Sequence, residues 1–279
     1  MLRRSPRSRS AGRSGTSGTD RPAGPATNAA RGSLRLEQGF FDRFPAFLET
    51  SETSSFPWRL NLRHEAIVTA HAPAFVGARV LDIASHDGRW SMAALEAGAS
   101  HVTGIEARPE LVDQAEATFR SHDVPPDRYT VIRGDVFEVL AREDRAFDVV
   151  LCLGFLYHTL RHGELFARIR ATGARQLIVD TEVHRSPDPL VRLATEHVDR
   201  QGNAVPDEFN RGASVITGRP SLSALELLAS SQGYALAGLS DWDGLLRDNP
   251  DADQVRDYRI GRRLTAAFTR ERAGGPGDR

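Results

Sequence analysis

Three carboxylates and one histidine stand where this chain could do chemistry. Asp82 lies in Arg79-Val-Leu-Asp-Ile-Ala-Ser-His-Asp-Gly-Arg-Trp-Ser91, an apolar run that breaks into a turn ending at Gly88. Helix-like residues follow from Trp90 to Glu96. A strand that turns sharply into a helix brings backbone N–H groups and a helix N-terminus to one point, which suits a polar cofactor. Glu106 closes a second run, His101-Val-Thr-Gly-Ile-Glu106, 24 residues after Asp82. An acid at that separation can accept both hydroxyls of a ribose. Asp135 follows a third run, in Val131-Ile-Arg-Gly-Asp135-Val136, and His158 follows a fourth, which ends at Leu153. Histidine titrates near neutral pH and can take a proton from an oxygen nucleophile.

Each of these residues also has a plainer reading. Asp135 could cap a helix starting at Val136, and His158 could bond to backbone at a helix start. Asp180 and Glu182, ending a fifth run, could orient a substrate hydroxyl or amine. His184 and His197 could line an acceptor pocket, whereas His162 reads as a solvated helix residue. The single cysteine, Cys152, lies in the apolar run Val149 to Leu153 and reads as a small buried residue. With no second cysteine and no compact set of ligands, neither an internal disulfide nor a metal is expected.

The elements that must position these groups alternate. Strands are expected at 79–84, 101–106, 129–133, 147–153 and 176–182, with helices at 90–97, 109–121, 136–142 and 160–171. Earlier, Phe40, Phe41, Phe44 and Phe47 share a helical spacing interrupted by Pro45, and a helix is expected from Leu60 to about His71. After 182 an irregular, proline-punctuated stretch runs to Pro220, and Ser221 caps a helix over 222–231. Two late strands, Tyr234 to Leu239 and Arg263 to Thr269, are joined by an acidic loop. The expected fold is a Rossmann-like, doubly wound seven-stranded α/β sheet, mostly parallel with the last strand antiparallel, under an N-terminal helical cover.

These motifs, in this order, resemble the class I S-adenosylmethionine (SAM) methyltransferases. The resemblance implies that Asp82, Ala84, Ser85 and Gly88 meet the cofactor from the first turn. It implies that Glu106 grips its ribose, Asp135 and Val136 its adenine, and that Leu153 ends the strand facing the reacting methyl. The family's turn carries three alternating glycines; here the positions are Ala84, His86 and Gly88. A dinucleotide-binding Rossmann domain, the rival reading, would need glycine at 84 and 86 for its pyrophosphate, which SAM lacks. Gly154-Phe-Leu-Tyr-His-Thr159, with Asp180 ending strand five, is similar to the branch of tRNA wobble-uridine (carboxy)methyltransferases. His158 is the expected base, Tyr157 or Phe155 would flank the sulfonium, and Asp180 would orient the acceptor.

Charge divides the chain. Residues 1–33 hold seven arginines against one acid, a net +6, while the remainder is −7. All 36 basic residues are arginine, which reads as a genomic bias. The expected organisation is a disordered Arg/Ser/Gly-rich tail over 1–33, a helical cover over 34–77 and a methyltransferase domain over 78–272. An insertion at 183–220 would shape the acceptor pocket, and 273–279 would be a second disordered tail. A cytoplasmic protein with no membrane span is expected, acting on the oxygen or nitrogen of a natural-product-like small molecule. A tRNA-modifying enzyme that attracts RNA through its arginine-rich tail is the alternative, and a non-catalytic regulator on the same fold is a third. The oligomeric state is not legible.

Overall fold

Strands flanked by helices on both faces read as unbroken apolar runs, because neither face meets water. The computed structural model places the expected runs in one such sheet. It describes residues 38–51, 56–142, 144–200, 202–207, 209, 212–252 and 255–270; the expected tails at 1–33 and 273–279 lie outside the described residues. In chain order the strands are β1 (Arg79–Ile83), β2 (His101–Glu106), β3 (Tyr129–Arg133), β4 (Val149–Leu153), β5 (Gln176–Glu182), β6 (Val191–His197), β7 (Ser214–Pro220), β8 (Tyr234–Leu239) and β9 (Arg263–Arg270). Seven of them form a sheet ordered β3-β2-β1-β4-β5-β9-β8. The first five pair in parallel, and β9 runs antiparallel between β5 and β8. The order reverses between β1 and β4, and in such sheets the crevice at the carboxyl ends of those strands is where ligands bind.

The side-chain period of two divides the sheet residues between two cores. Val80, Leu151 and Ile178 join Trp90, Leu95 and Phe119 on one face, along with Phe41 and Phe47 from the N-terminal segment. Leu81, Ile83, Val150 and Leu177 join Leu165, Phe166 and Phe268 on the other. The connecting helices are α4 (Arg89–Glu96), α5 (Pro109–Ser121), α6 (Val136–Arg142) and α7 (His162–Ala171). They are preceded by the short helices α1 (Pro45–Glu49), α2 (Pro57–Ile67) and α3 (Ala72–Phe75). Pro45 does not interrupt a longer helix but starts α1, where its missing N–H is harmless. Helix α8 (Leu222–Ser230) is capped as expected, with Ser221 Oγ accepting the Ala224 N–H. No helix of the described residues is long and apolar enough to cross a membrane.

Two expectations are corrected. The stretch from 183 to 220 is not irregular throughout: β6 and β7 pair antiparallel as a separate two-stranded ribbon. The acidic loop between the last strands contains α9 (Trp242–Asp248) and α10 (Arg256–Arg259), joined by stacking of Trp242 on Tyr258 at 3.6 Å between ring centroids. The N-terminal segment is tied to the sheet by one buried carboxylate. Asp180, wholly buried in β5, accepts from Arg63 of α2 at 3.0 Å and from Arg263 of β9 at 2.7 Å. It also accepts the hydroxyls of Tyr258 and Thr265, each at 2.7 Å. Burial opposes its ionisation, but the two guanidinium groups and the hydroxyl bonds outweigh it and hold its pKa well below the usual carboxylate range. Removing one partner of a buried ion pair strands the others and costs roughly 3–5 kcal/mol. Asp180→Ala is therefore expected to lower the melting temperature by about 10 °C, read by circular dichroism. A drop within the error of the measurement would contradict the account of Asp180 as the clamp.

Candidate functional site

The turn between β1 and α4 keeps the backbone of a glycine-rich loop with Gly88 as its one remaining glycine. Ala84, His86 and Gly88 all take left-handed dihedrals, with φ of 53°, 55° and 79°. Left-handed backbone costs an L-residue roughly 1–2 kcal/mol, so neighbouring groups must fix Ala84 and His86 there. The His86 N–H donates to Glu106 Oε2 at 2.9 Å. Its ring accepts from Arg89 at 3.2 Å, and Arg89 in turn binds the buried Asp87 at 2.8 Å through both Nε and Nη2. Thr50, which follows α1, closes the cluster by donating to Asp87 and accepting from Arg89. Gly88 alone cannot be replaced freely, because a Cβ there would stand 2.7 Å from the Phe119 ring.

Beyond the turn lies a partly open cavity at the carboxyl ends of the parallel strands. Ala84, His86, Glu106, Asp135, Val136, Leu153, Phe155 and His158 all line it. Glu106 Oε1 accepts the Arg108 N–H at 2.9 Å, so each of its oxygens is aimed by one backbone bond and keeps a lone pair for a ligand. Asp135 does both things the sequence allowed. Its Oδ1 caps α6 by accepting the N–H groups of Phe137 and Glu138, at 2.9 and 3.1 Å, and its Oδ2 accepts no hydrogen bond from the described residues.

Not every expected residue reaches that cavity. Asp82 is buried behind the turn, accepting the Ser91 hydroxyl at 2.7 Å. Burial raises its pKa to about 7, and the charges of Glu106 and Asp87 push the same way. Ser85 and Gly88 do not line the cavity; Ser85 packs against Gly104, where a Cβ would lie 2.7 Å from its Oγ. Asp180 does not line the cavity either, and each of its oxygens accepts two bonds in the clamp. Tyr157 also lies off the cavity, its hydroxyl accepting from Arg263 at 3.4 Å. His162 is buried rather than solvated, bonding the Leu156 carbonyl at 3.0 Å. His184 and His197 lie away from the cavity, which Gly202, Asn203, Ala204, Val205 and Asp207 line instead. One partner was missed altogether: His158 Nδ1 lies 2.5 Å from Glu196 of β6.

The donor and acceptor set suits SAM. Glu106 offers two oriented acceptors for a diol, Asp135 an acceptor for an amine, and Leu153, Phe137 and Phe155 apolar walls. No phosphate is needed in the turn, and two carboxylates beside it favour a cationic ligand. Residues 80–172 match the family described as a methyltransferase domain. The chain is 32% identical over 132 residues to a tRNA U34 carboxymethyltransferase of Alcanivorax borkumensis, covering 47% of this chain and 37% of that protein. It is 26% identical to another of that name from Idiomarina loihiensis, covering 60% of this chain and 50% of that one. The chain thus spans half or less of the length of these curated relatives. Among solved structures, the N-terminal domain of EvdMO1 with SAH bound is similar with a TM-score of 0.54 and 18% identity, covering 87% of this chain and 100% of that one. This likeness shows the fold, the Rossmann-like methyltransferase sheet. SAM is the cofactor of the matched domain.

Asp82 and the clamp set opposite pH dependences. Asp87 and Asp180 have lowered pKa values, so the stability they supply is present above about pH 4 and lost as pH falls further. In Asp87, burial is overcome by the charge and the hydrogen bonds of Arg89. Asp82 has a raised pKa, so its stability is full below about pH 4 and is lost as pH rises to about 7. That loss amounts to at most about 4 kcal/mol. Asp82→Asn should remove the fall in stability between pH 4 and 7 while leaving the acid limb, as read from chemical denaturation at a series of pH values. An unchanged slope in that window would contradict the assignment.

Proposed function

We propose that this chain moves a methyl group from SAM to an oxygen or nitrogen of a small-molecule acceptor, with His158 as the base. The observation that carries this reading is that His158 shares one cavity with Glu106 and Asp135. When bound, the cofactor supplies an electrophilic methyl carbon on a sulfonium. Glu106 and Asp135 would hold the ribose and adenine, and the left-handed turn would set its backbone toward the methionine end. His158 takes the proton that the acceptor's oxygen or nitrogen gives up as its lone pair forms the new bond to carbon. The C–S pair stays on sulfur. Alignment of acceptor and methyl within the cavity is the main source of rate. Phe155 and Leu153 supply apolar walls for it.

A tRNA-directed activity is the second reading, favoured by the names of the two curated relatives and by the seven arginines in residues 1–33. The remainder of the chain, at −7, does not favour long contacts with phosphate. Transfer of labelled methyl from SAM separates the readings, using small hydroxyl, carboxyl and amine compounds in parallel with unmodified tRNA. Label is expected in a small compound, with the rate unchanged on removal of residues 1–33. Label in tRNA alone, lost with those residues, would replace this reading with the second. Bound SAM with no transfer to either class would favour a non-catalytic regulator.

A further inference from the structure

The His158–Glu196 contact joins two parts of the molecule that the sequence keeps 38 residues apart. His158 sits in a single helical turn, Leu156–His158, after β4, and Glu196 sits near the end of β6 in the ribbon. Both side chains are nearly buried, at 12% and 10% exposed. The same oxygen, Glu196 Oε2, also accepts the backbone N–H of Ala204 at 3.0 Å. Ala204 belongs to the segment that lines the cofactor cavity opposite Glu106 and Arg108. That segment is held at two further points. Asn203 Nδ2 donates to the His197 carbonyl at 2.8 Å, and Arg108 Nη2 donates to the carbonyls of Arg200 and Asn203 at 3.0 and 3.1 Å.

An ionised carboxylate only accepts, so the nitrogen facing it must carry the proton. Burial raises the pKa of Glu196, but the His158 hydrogen bond, the Ala204 N–H and Arg219 outweigh it and keep the group ionised. Arg219 of β7 stands 3.8 Å away and is itself anchored on Glu182 at 2.6 Å. A neutral His158 ring is thereby left with its lone pair on Nε2. We infer that Glu196 is a positioning residue with two tasks: it fixes His158 as the Nδ1–H tautomer, and through the same oxygen it holds the Ala204 segment over the cofactor. This rests on the reading of His158 as base. It deepens that reading by making the base and the cofactor cover depend on one carboxylate.

Nitrogen-15 spectra of the histidines in the full-length protein at pH 8, with His158→Asn for assignment, test the first task without any ligand. The wild-type ring should carry its proton on Nδ1, and Glu196→Ala should move it to Nε2, the tautomer a free imidazole prefers. Glu196→Gln, which keeps an acceptor oxygen, should retain the wild-type tautomer and serves as the control for folding. Calorimetric titration with S-adenosylhomocysteine tests the second task. Glu196→Ala should weaken binding about tenfold, the scale of one hydrogen bond to a charged group, and Glu196→Gln, which can still accept the Ala204 N–H, should not. A wild-type Nε2–H ring, or a ring unaltered by Glu196→Ala, would overturn the first task. Unchanged affinity in Glu196→Ala would overturn the second. If the wild type fails to bind S-adenosylhomocysteine, the cofactor reading fails and the second task with it, while the ligand-free spectra still decide the first.

Discussion

The site depends on a backbone held left-handed at three alternating residues, two of which carry side chains. Ala84 and His86 occupy dihedrals that glycine would take freely, and strain of that kind persists only where the surroundings over-determine it. Here the surroundings are specific. Glu106 receives the His86 N–H, and the Asp87–Arg89 pair, closed by Thr50, braces the far side of the turn. The carboxylate that stabilises the turn also lines the cavity. The same group thus sets the backbone and faces the cavity, so turn and cavity cannot be altered independently.

Electrostatics follow from that arrangement. Asp82, Asp87 and Glu106 lie close together, and each is dealt with differently. Asp87 is neutralised by Arg89, Glu106 is aimed into the cavity by two backbone N–H groups, and Asp82 is burdened by burial and by its neighbours. A cationic ligand relieves the repulsion between Asp82 and Glu106, whereas an anionic one adds to it. This is the electrostatic reason to favour a sulfonium cofactor over a pyrophosphate. Away from the cavity, Asp180 spends all its acceptor capacity on Arg63, Arg263, Tyr258 and Thr265. It fastens the N-terminal segment and the last strand to β5.

The parallel sheet was legible because its central strands are buried on both faces and so read as apolar runs; Val149 to Leu153 needs no partner to be recognised. Glu106 and Asp135 were legible for a related reason, since each closes such a run. The β6–β7 ribbon was not, because its two strands pair only with each other and β6 buries no residue fully, mixing half-buried with exposed side chains. Arg192 and Glu196 break every apolar run there, and the signal that could have found it was the period-two pattern of Val191, Leu193 and Thr195. Glu196 was missed with it. Asp180 misled because a strand-end carboxylate looks the same in sequence whether free or saturated. Its partners lie 78 to 117 residues away along the chain. The left-handed state of His86 was likewise invisible, because it is imposed by Glu106, 20 residues on.

The central claim is that the strained turn and Glu106 together form a SAM site. Calorimetric titration of the full-length protein with S-adenosylhomocysteine, set beside Glu106→Ala and a parallel titration with NAD, tests it most directly. The account predicts micromolar binding of S-adenosylhomocysteine, a loss of about tenfold or more in Glu106→Ala, and no binding of NAD. Binding of NAD in place of S-adenosylhomocysteine, or affinity indifferent to Glu106, would contradict it.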